Sequence, residues 1–159
     1  MDFIMGITNS KGKSVIMVVV DRHTKYAHFC ALSHPFKAST IATSFMETVQ
    51  KLHGNPKTIV SGRDPIFTGN FWKELFSCLG TQLAHCTSYD PQSDGKTEIV
   101  NKCLEGYLHC VVSDKQTQWV KWLPLVEWWY NTSFHTTEKI TPFMALYGYH
   151  PPSITSSLR

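Results

Sequence analysis

Three strand-like apolar segments lie close together at the start of the chain, joined by connections too short to hold a helix. They are "DFIMGI" (2–7), "SVIMVVVD" (14–21) and "KYAHFCAL" (25–32), with Gly12 in the polar loop between the first two. Segments rich in Val, Ile and aromatic residues favour strands. Because a parallel pair needs a crossover of about a dozen residues or more, strands connected this tightly run antiparallel. The sequence therefore predicts an antiparallel meander of three strands.

Helical and strand patterns alternate in the rest of the chain. Helices are predicted at 37–54, 68–80 and 98–113, strands at 57–60 and 81–88, and a polar loop at 89–98. An aromatic helix at 117–135 and a short segment at 141–148 follow. A helix separates each later strand from the strand before it. These helices are therefore predicted to be crossover connections between parallel strands. The predicted fold class is α/β, with a mixed five-stranded sheet flanked by helices.

One domain is expected, because 159 residues with 42% hydrophobic and 17% charged residues can bury a sizeable core. Residues 1–149 are assigned to that domain and the Pro- and Ser-rich residues 150–159 to the start of a C-terminal linker. The longest apolar run, Val15 to Val20, is far too short to span a bilayer, and the N-terminus lacks a secretory pattern. An intracellular protein without a membrane partner is expected.

Cysteine usage and charge exclude some classes of protein. Five scattered cysteines, an odd number, do not predict a disulfide framework. The chain has no Cys-x-x-Cys or His-x-x-x-His pair, so a structural zinc site is not expected. A formal charge of +3 permits nucleic acid binding without requiring it, since phosphate affinity depends on where the charges cluster.

Two acids could meet at one end of the predicted sheet. Asp2 lies in the first strand, Glu98 begins the helix after the fifth, and Gly62 follows the fourth strand, which can lie beside the first. Clusters of carboxylates are suitable ligands for Mg²⁺. Two such ions about 4 Å apart can hold the attacking oxygen and the leaving oxygen of a phosphoryl transfer. Spacing alone leaves a second reading open, in which Asp2 and Glu98 are solvated surface acids.

Several longer stretches carry a resemblance to a known family. They are "MDFIMGI", "VVVDRHTKYAHF", "LHGNPKTIVSGRDPIFTGNFWKELF", "SYDPQSDGKTEIVNKCLEGYL", "WLPLVEWWYNTSFHTT" and "TPFMALYGYHPP". Together they resemble the catalytic core of an integrase from a gypsy-type LTR retrotransposon, and they are similar to retroviral integrases. The resemblance covers nearly the whole chain and implies a ribonuclease H-like fold. By the same resemblance, the first strand is truncated at its N-terminus.

The resemblance also implies a metal-binding triad of Asp, Asp and Glu. Asp2 matches the first acid and Glu98 the third, and counting back over thirty-five intervening residues from Glu98 reaches Gly62, where the family has Asp. Asp64 is a poor substitute, because it would lie roughly 6 to 7 Å further along an extended strand and Pro65 restricts its backbone. Weak binding of Mg²⁺ or Mn²⁺ is therefore expected.

DNA contacts are implied for the segment around Glu98. By resemblance, these are Tyr89, Gln92 and Lys96 in the preceding loop and Asn101 and Lys102 on the helix. A solvated polar face is the alternative for the helical positions. The implied partners are the ends of the element's DNA and target DNA, with no small-molecule substrate, and a homo-oligomer in the nucleus is expected.

Two functions from different classes remain open. The first is DNA integration, by 3′-end processing and strand transfer, in a copy that Gly62 impairs or inactivates. The second is a degenerate or domesticated module that binds DNA or protein without catalysis. A ribonuclease H-like nuclease acting alone would need the intact acidic cluster.

Other conspicuous residues are assigned structural roles. Trp119, Trp122, Trp128 and Trp129 are expected in the core or a subunit interface, because aromatic residues at helical spacing usually lie there. Asp21 is expected to make a turn contact or a surface ion pair. The predicted apolar face of the 98–113 helix has Cys103 and Cys110 on or near it, and it is formed by Ile99, Val100, Cys103, Leu104, Tyr107, Leu108 and Val111.

Overall fold

The computed structural model describes residues 1–61, 69–85, 91–112 and 116–152, and the side chains of 71, 75, 78, 83–85 and 91–98 are not among them. Strands β1 (Asp2–Ile4), β2 (Val15–Val20) and β3 (Ala27–Leu32) form an antiparallel sheet in the order β1-β2-β3. The register pairs Asp2 with Val18, and Val18 with Phe29. The predicted meander is confirmed.

A continuous helical segment follows the meander. It consists of α1 (Ala38–Phe45), a π-helical stretch (Met46–Gln50) and α2 (Lys51–His53). Gly54 ends it with φ at +75°, a conformation that glycine adopts without the steric cost of a side chain. The boundaries agree closely with the predicted helix at 37–54.

The two later strands pair with each other in parallel. Strand β4 (Thr58–Ser61) is joined to β5 (Gln82–His85) through α3 (Asn70–Cys78), as the crossover argument predicted. The described strands form one group of three and one group of two. The Met1 ammonium donates a hydrogen bond to the Val60 carbonyl at 2.7 Å and so links the start of β1 to β4. A single five-stranded sheet stays a prediction.

Three further helices complete the described chain. They are α4 (Pro91–Val112), α5 (Trp119–Thr132), which follows a short 3₁₀ turn (Gln116–Gln118), and α6 (Pro142–Tyr147). The Thr141 hydroxyl accepts a hydrogen bond from the Met144 amide at 3.1 Å and caps α6. No helix within the described ranges is long and apolar enough to cross a membrane.

The three-stranded sheet buries both of its faces. Ile16 and Val18 pack on one side against residues of α4 and α5, whereas Val15 and Met17 pack on the other side against α1 and α3. This alternation follows from the two-residue period of a strand. It explains why the Val- and Ile-rich segment is apolar at every position from Val15 to Val18.

Helix α5 covers the backbone of the outer strand β3. The Asn131 side chain accepts a hydrogen bond from the Ala27 amide and donates one to the Ala27 carbonyl, both at 2.8 Å. One turn earlier, Glu127 Oε2 accepts the Phe29 amide hydrogen at 2.8 Å. Asn131 and Glu127 are four apart and so lie on one face of the helix, while Ala27 and Phe29 are two apart and so present their backbone groups on one edge of the strand. The spacing on the helix therefore fits the spacing on the strand. The helix therefore forms hydrogen bonds with backbone N–H and C=O groups at the edge of β3, to which a strand of another chain could otherwise pair.

The start of α4 corrects the sequence prediction. The segment predicted as a loop up to Glu98 is helical from Pro91, so Gln92 and Lys96 lie in a helix. Proline is well tolerated at the first position of a helix, because the amide it lacks has no partner there. The polar and glycine-containing composition of this segment concealed the helix.

The buried face of α4 also differs in detail from the prediction. Val100, Leu104, Leu108 and Val112 are buried at a regular spacing of four, while Ile99 is 63% exposed. Cys103 and Cys110, predicted on or near the apolar face, are exposed free thiols. Trp119 is buried in the core as expected, and Trp122 packs against it.

Candidate functional site

A large cavity lies beside the strand that carries Asp2. Its volume is about 1070 Å³. Its walls come from the ends of β1 and β2, the turn that follows β2, the helical segment before β4, and β4 itself. Asp2, Asn101 and Ser61 all line it, so the cavity joins the first strand, helix α4 and the end of β4. These are the three elements expected to supply the acidic triad.

Asp2 is held by a residue of α4. The Asn101 amide nitrogen donates a hydrogen bond to Asp2 Oδ2 at 3.1 Å. Asn101 follows Glu98 by three positions on α4, which is nearly one helical turn. This contact therefore brings the first-strand acid against the part of the helix that contains Glu98, as the topology argument expected.

A second atom of Asn101 has no described partner. Its Oδ1 is buried and accepts no hydrogen bond among the described residues. A buried amide oxygen without a donor costs free energy, and a cation or a donor from a bound molecule would relieve that cost. Carboxylate and amide oxygens are also the ligand types that Mg²⁺ prefers. The oxygens of Asp2 and Asn101 are thus of the type that binds a hard divalent cation.

The described part of the chain does not complete such a site. It contains no group of three or more His, Cys, Asp or Glu side chains that could surround one ion. Gly62, at the position of the second acid, and Asp64 lie outside the described residues, and the side chain of Glu98 is likewise outside them. The metal roles of Asp2 and Glu98 stay predictions.

Asp21, which lines the same cavity, has a structural role. Its carboxylate accepts hydrogen bonds from the Thr24 hydroxyl at 2.6 Å, the Thr24 amide at 3.1 Å and the His23 amide at 3.4 Å. Burial opposes ionisation of Asp21, but these hydrogen bonds outweigh it, so its pKa lies below the usual value. The expected turn contact is confirmed.

The predicted DNA-contacting residues are only partly described. Tyr89 lies outside the described residues, and Gln92 and Lys96 are in α4 with side chains outside the description. Lys102 is exposed, and Asn101 contacts Asp2. The contact with Asp2 was not foreseen, although the three-residue spacing from Glu98 was a signal for it. DNA contact by these residues stays a prediction.

The chain is similar in sequence to a segment of transposon polyproteins. It is 35% identical over 151 residues to the Tf2-3 and Tf2-4 transposon polyproteins of Schizosaccharomyces pombe. The match covers 95% of this chain but 11% of each polyprotein, so the chain spans about a tenth of the relatives' length. No protein-family model matches the chain.

Retroviral integrases are among the solved structures with a similar fold. The simian T-cell lymphotropic virus intasome, in complex with a PP2A regulatory subunit, contains a chain with TM-score 0.78 and 18% identity, covering 96% of this chain and 55% of that one. The HTLV-2 integrase catalytic core domain, in complex with magnesium, has TM-score 0.71 and 14% identity, covering 91% and 93%.

The BIV integrase catalytic core gives a similar result, with TM-score 0.67 and 19% identity, covering 89% of this chain and 90% of that one. At these identities the structural matches establish the fold, while the sequence match establishes the relationship to mobile elements. The resemblance stated from the sequence is confirmed: the chain is homologous to a segment of retrotransposon polyproteins, and its fold is that of the retroviral integrase catalytic cores.

Proposed function

We propose that the chain is the catalytic core of a retrotransposon integrase, which processes the 3′ ends of the element's DNA and joins them to target DNA. The observation that carries this proposal is the hydrogen bond between Asp2 and Asn101. It joins two elements far apart in sequence at one cavity, where the integrase resemblance expects the first and third acids. The homology to Tf2 polyproteins supports a role in a mobile element.

Asp2 and Glu98 would hold the divalent cation, Mg²⁺ or Mn²⁺. When bound, such an ion supplies charge stabilisation to the attacking and leaving oxygens of a phosphoryl transfer. Asn101 would fix the orientation of the Asp2 carboxylate, since its amide occupies Oδ2. Gly62 offers no side-chain carboxylate at the position of the second acid, so this copy would be severely impaired.

Magnesium binding by the purified protein should be weak. Two carboxylates attract a divalent ion less than three, and Mg²⁺ gives up its water ligands reluctantly. Isothermal titration calorimetry should detect little heat of binding at about 1 mM Mg²⁺, and the variant Asp2→Asn should bind less than the parent. A tight isotherm with two ions per chain would contradict the loss of a ligand at Gly62.

DNA is the proposed partner, and Lys102 provides a test. We expect Lys102→Ala to weaken binding to duplex ends and to lower the slope of log affinity against log salt by about 1, the effect of one phosphate contact. Lys96→Ala should act in the same way. Fluorescence anisotropy over a salt series is the measurement, with Lys121→Ala, an exposed position on α5, as the control. Unchanged slopes in both variants would remove α4 from the DNA interface.

The solved relatives support one further part of this proposal, an oligomeric state. The HTLV-2 integrase core was described in dimeric and trimeric forms. We therefore propose a homo-oligomer, which light scattering at several protein concentrations would detect. A nuclear location follows from a role in integration and would be tested by localising the tagged protein.

A non-catalytic binding module is the second candidate function. Glycine at the position of the second acid is the observation that favours it. Salt-dependent DNA binding without any metal-dependent joining, in the parent and in a variant with the restored acid, would support this candidate over an impaired enzyme.

A further inference from the structure

Two histidines from distant parts of the chain face each other in the cavity. His28 of β3 is buried, and His53 is the last residue of α2. Their Nε2 atoms are 2.9 Å apart, and their ring centroids are 5.2 Å apart. The centroid separation exceeds the nitrogen separation by about the sum of the two ring radii. The rings therefore point at each other nearly head-on.

This direction distinguishes a shared proton from a shared metal ion. Two histidines on one ion direct their lone pairs at an angle toward a point about 2 Å from each nitrogen. Here the nitrogens lie along one line, and an ion between them would be too close to both. A distance of 2.9 Å is typical of a hydrogen bond. One facing nitrogen must then carry a hydrogen and the other a lone pair.

A carboxylate orients the inner member of the pair. Glu127 Oε1 lies 3.3 Å from His28 Nδ1, and Glu127 Oε2 accepts the Phe29 amide hydrogen. Because an ionised carboxylate only accepts hydrogen bonds, Nδ1 of His28 carries a hydrogen. The ring of His28 is thus fixed from behind, and its Nε2 is aimed at His53. A row of hydrogen bonds connects α5, β3 and the end of α2.

We propose that His28 and His53 form a pH-sensitive latch that fastens the end of α2 to the sheet while their facing nitrogens share one proton. A second proton would place two N–H donors against each other, and the contact would separate. His53 is followed by Gly54 and then by β4, which ends at the cavity beside Asp2. Opening the latch therefore releases the segment that leads from α2 into β4. This inference does not depend on the proposed integrase function.

Charged and titratable groups surround the pair on several sides. The turn before β3 contributes Tyr26, whose ring contacts both histidines, and α6 contributes Tyr147, which contacts Tyr26. Burial and Tyr147 raise the pKa of Tyr26, which therefore stays neutral. Among the described residues, Glu127 lies behind His28, and the cavity walls also carry Asp2, Asp21, Arg22, His23, Lys25 and Lys57.

The sign of the pH dependence follows from His53. Burial and the neighbouring His28 lower the pKa of His53, and Asp21 opposes them. The unfolded chain therefore takes up this proton at higher pH than the folded chain does. The stability that the latch contributes is present above about pH 6.5 and is lost as the pH falls through the lower folded value.

Ring-¹⁵N-labelled histidine provides the direct test. At pH 7.5 we expect a coupling across the hydrogen bond between the two Nε2 nuclei, and we expect it to vanish near pH 5. Independent titration of both rings, with the same midpoint as the exposed His109 and no coupling, would overturn the latch.

Thermal unfolding provides the second test. Between pH 8 and pH 5 the parent should lose about 3 °C more in Tm than His53→Gln, which can keep a hydrogen bond without titrating. The control His109→Gln should behave like the parent. Equal pH dependence of Tm in the parent and in His53→Gln would also overturn the proposal.

Discussion

The variant Gly62→Asp should join DNA ends at least about a hundredfold faster than the parent, because several kcal/mol of transition-state stabilisation depend on the metal ligands. The argument starts from spacing. Thirty-five residues lie between Gly62 and Glu98, and Gly62 comes directly after β4, which ends at Ser61 on the wall of the cavity. Asp2 lines the same cavity. A carboxylate at residue 62 would thus follow directly on a strand that ends at this cavity, and it would supply the charge that glycine lacks.

Strand joining on short duplexes with Mg²⁺ or Mn²⁺ is the measurement. Gly62→Asn is the matched control, since it has nearly the same shape as Asp but no charge, and it should remain near the parent. Adding Asp2→Asn to Gly62→Asp should abolish the gain. A parent that is already active, and that loses activity on Asp64→Asn, would show that Asp64 has replaced the missing acid.

The variant Asn131→Leu should lose roughly 2 to 6 kcal/mol of unfolding free energy, since an unsatisfied buried polar group costs about 1 to 3 kcal/mol and two would be created. Asn131 is 1% exposed and satisfies both the amide and the carbonyl of Ala27. Leucine has the same branched arrangement of side-chain heavy atoms but offers neither donor nor acceptor. Since domains of this size are stable by about 5 to 15 kcal/mol, the change is a large fraction of the total.

Urea unfolding followed by circular dichroism measures this loss. Thr132→Val is the control on the neighbouring residue, because the Thr132 hydroxyl donates to the Trp128 carbonyl of its own helix and not to the sheet. It should cost less than about 1 kcal/mol. If the unfolding free energy of Asn131→Leu is also within about 1 kcal/mol of the parent's, the two hydrogen bonds to Ala27 contribute little to the stability of the sheet.

Local chain connectivity explains what could be predicted from the sequence. The meander and the parallel pair follow from connection lengths, because a short loop and a helical crossover each permit one relative strand direction. The end of the first helical segment was marked by Gly54. The beginning of α4 was not visible, since Pro91 and Gly95 resemble a turn by composition yet are compatible with a helix at this place.

Contacts between distant elements could not be predicted in the same way. The sequence separation is 99 positions between Asp2 and Asn101, and it is also 99 positions between His28 and Glu127. Periodicity assigns each residue to a face of its own element but does not identify the residue opposite. Family resemblance supplied the neighbourhood of Asp2 and Glu98, and it gave no indication of the histidine pair.

The hydrogen bond from the Met1 ammonium to Val60 affects how this protein should be handled. Any residues attached before Met1 would start against β4 at the wall of the cavity, and they would replace a charged amine by a neutral amide. An N-terminal purification tag would thus begin at the wall of the cavity that Asp2 also lines, and its interference there would look like a loss of metal or DNA binding. Affinity tags for the assays above belong at the C-terminus, after Arg159.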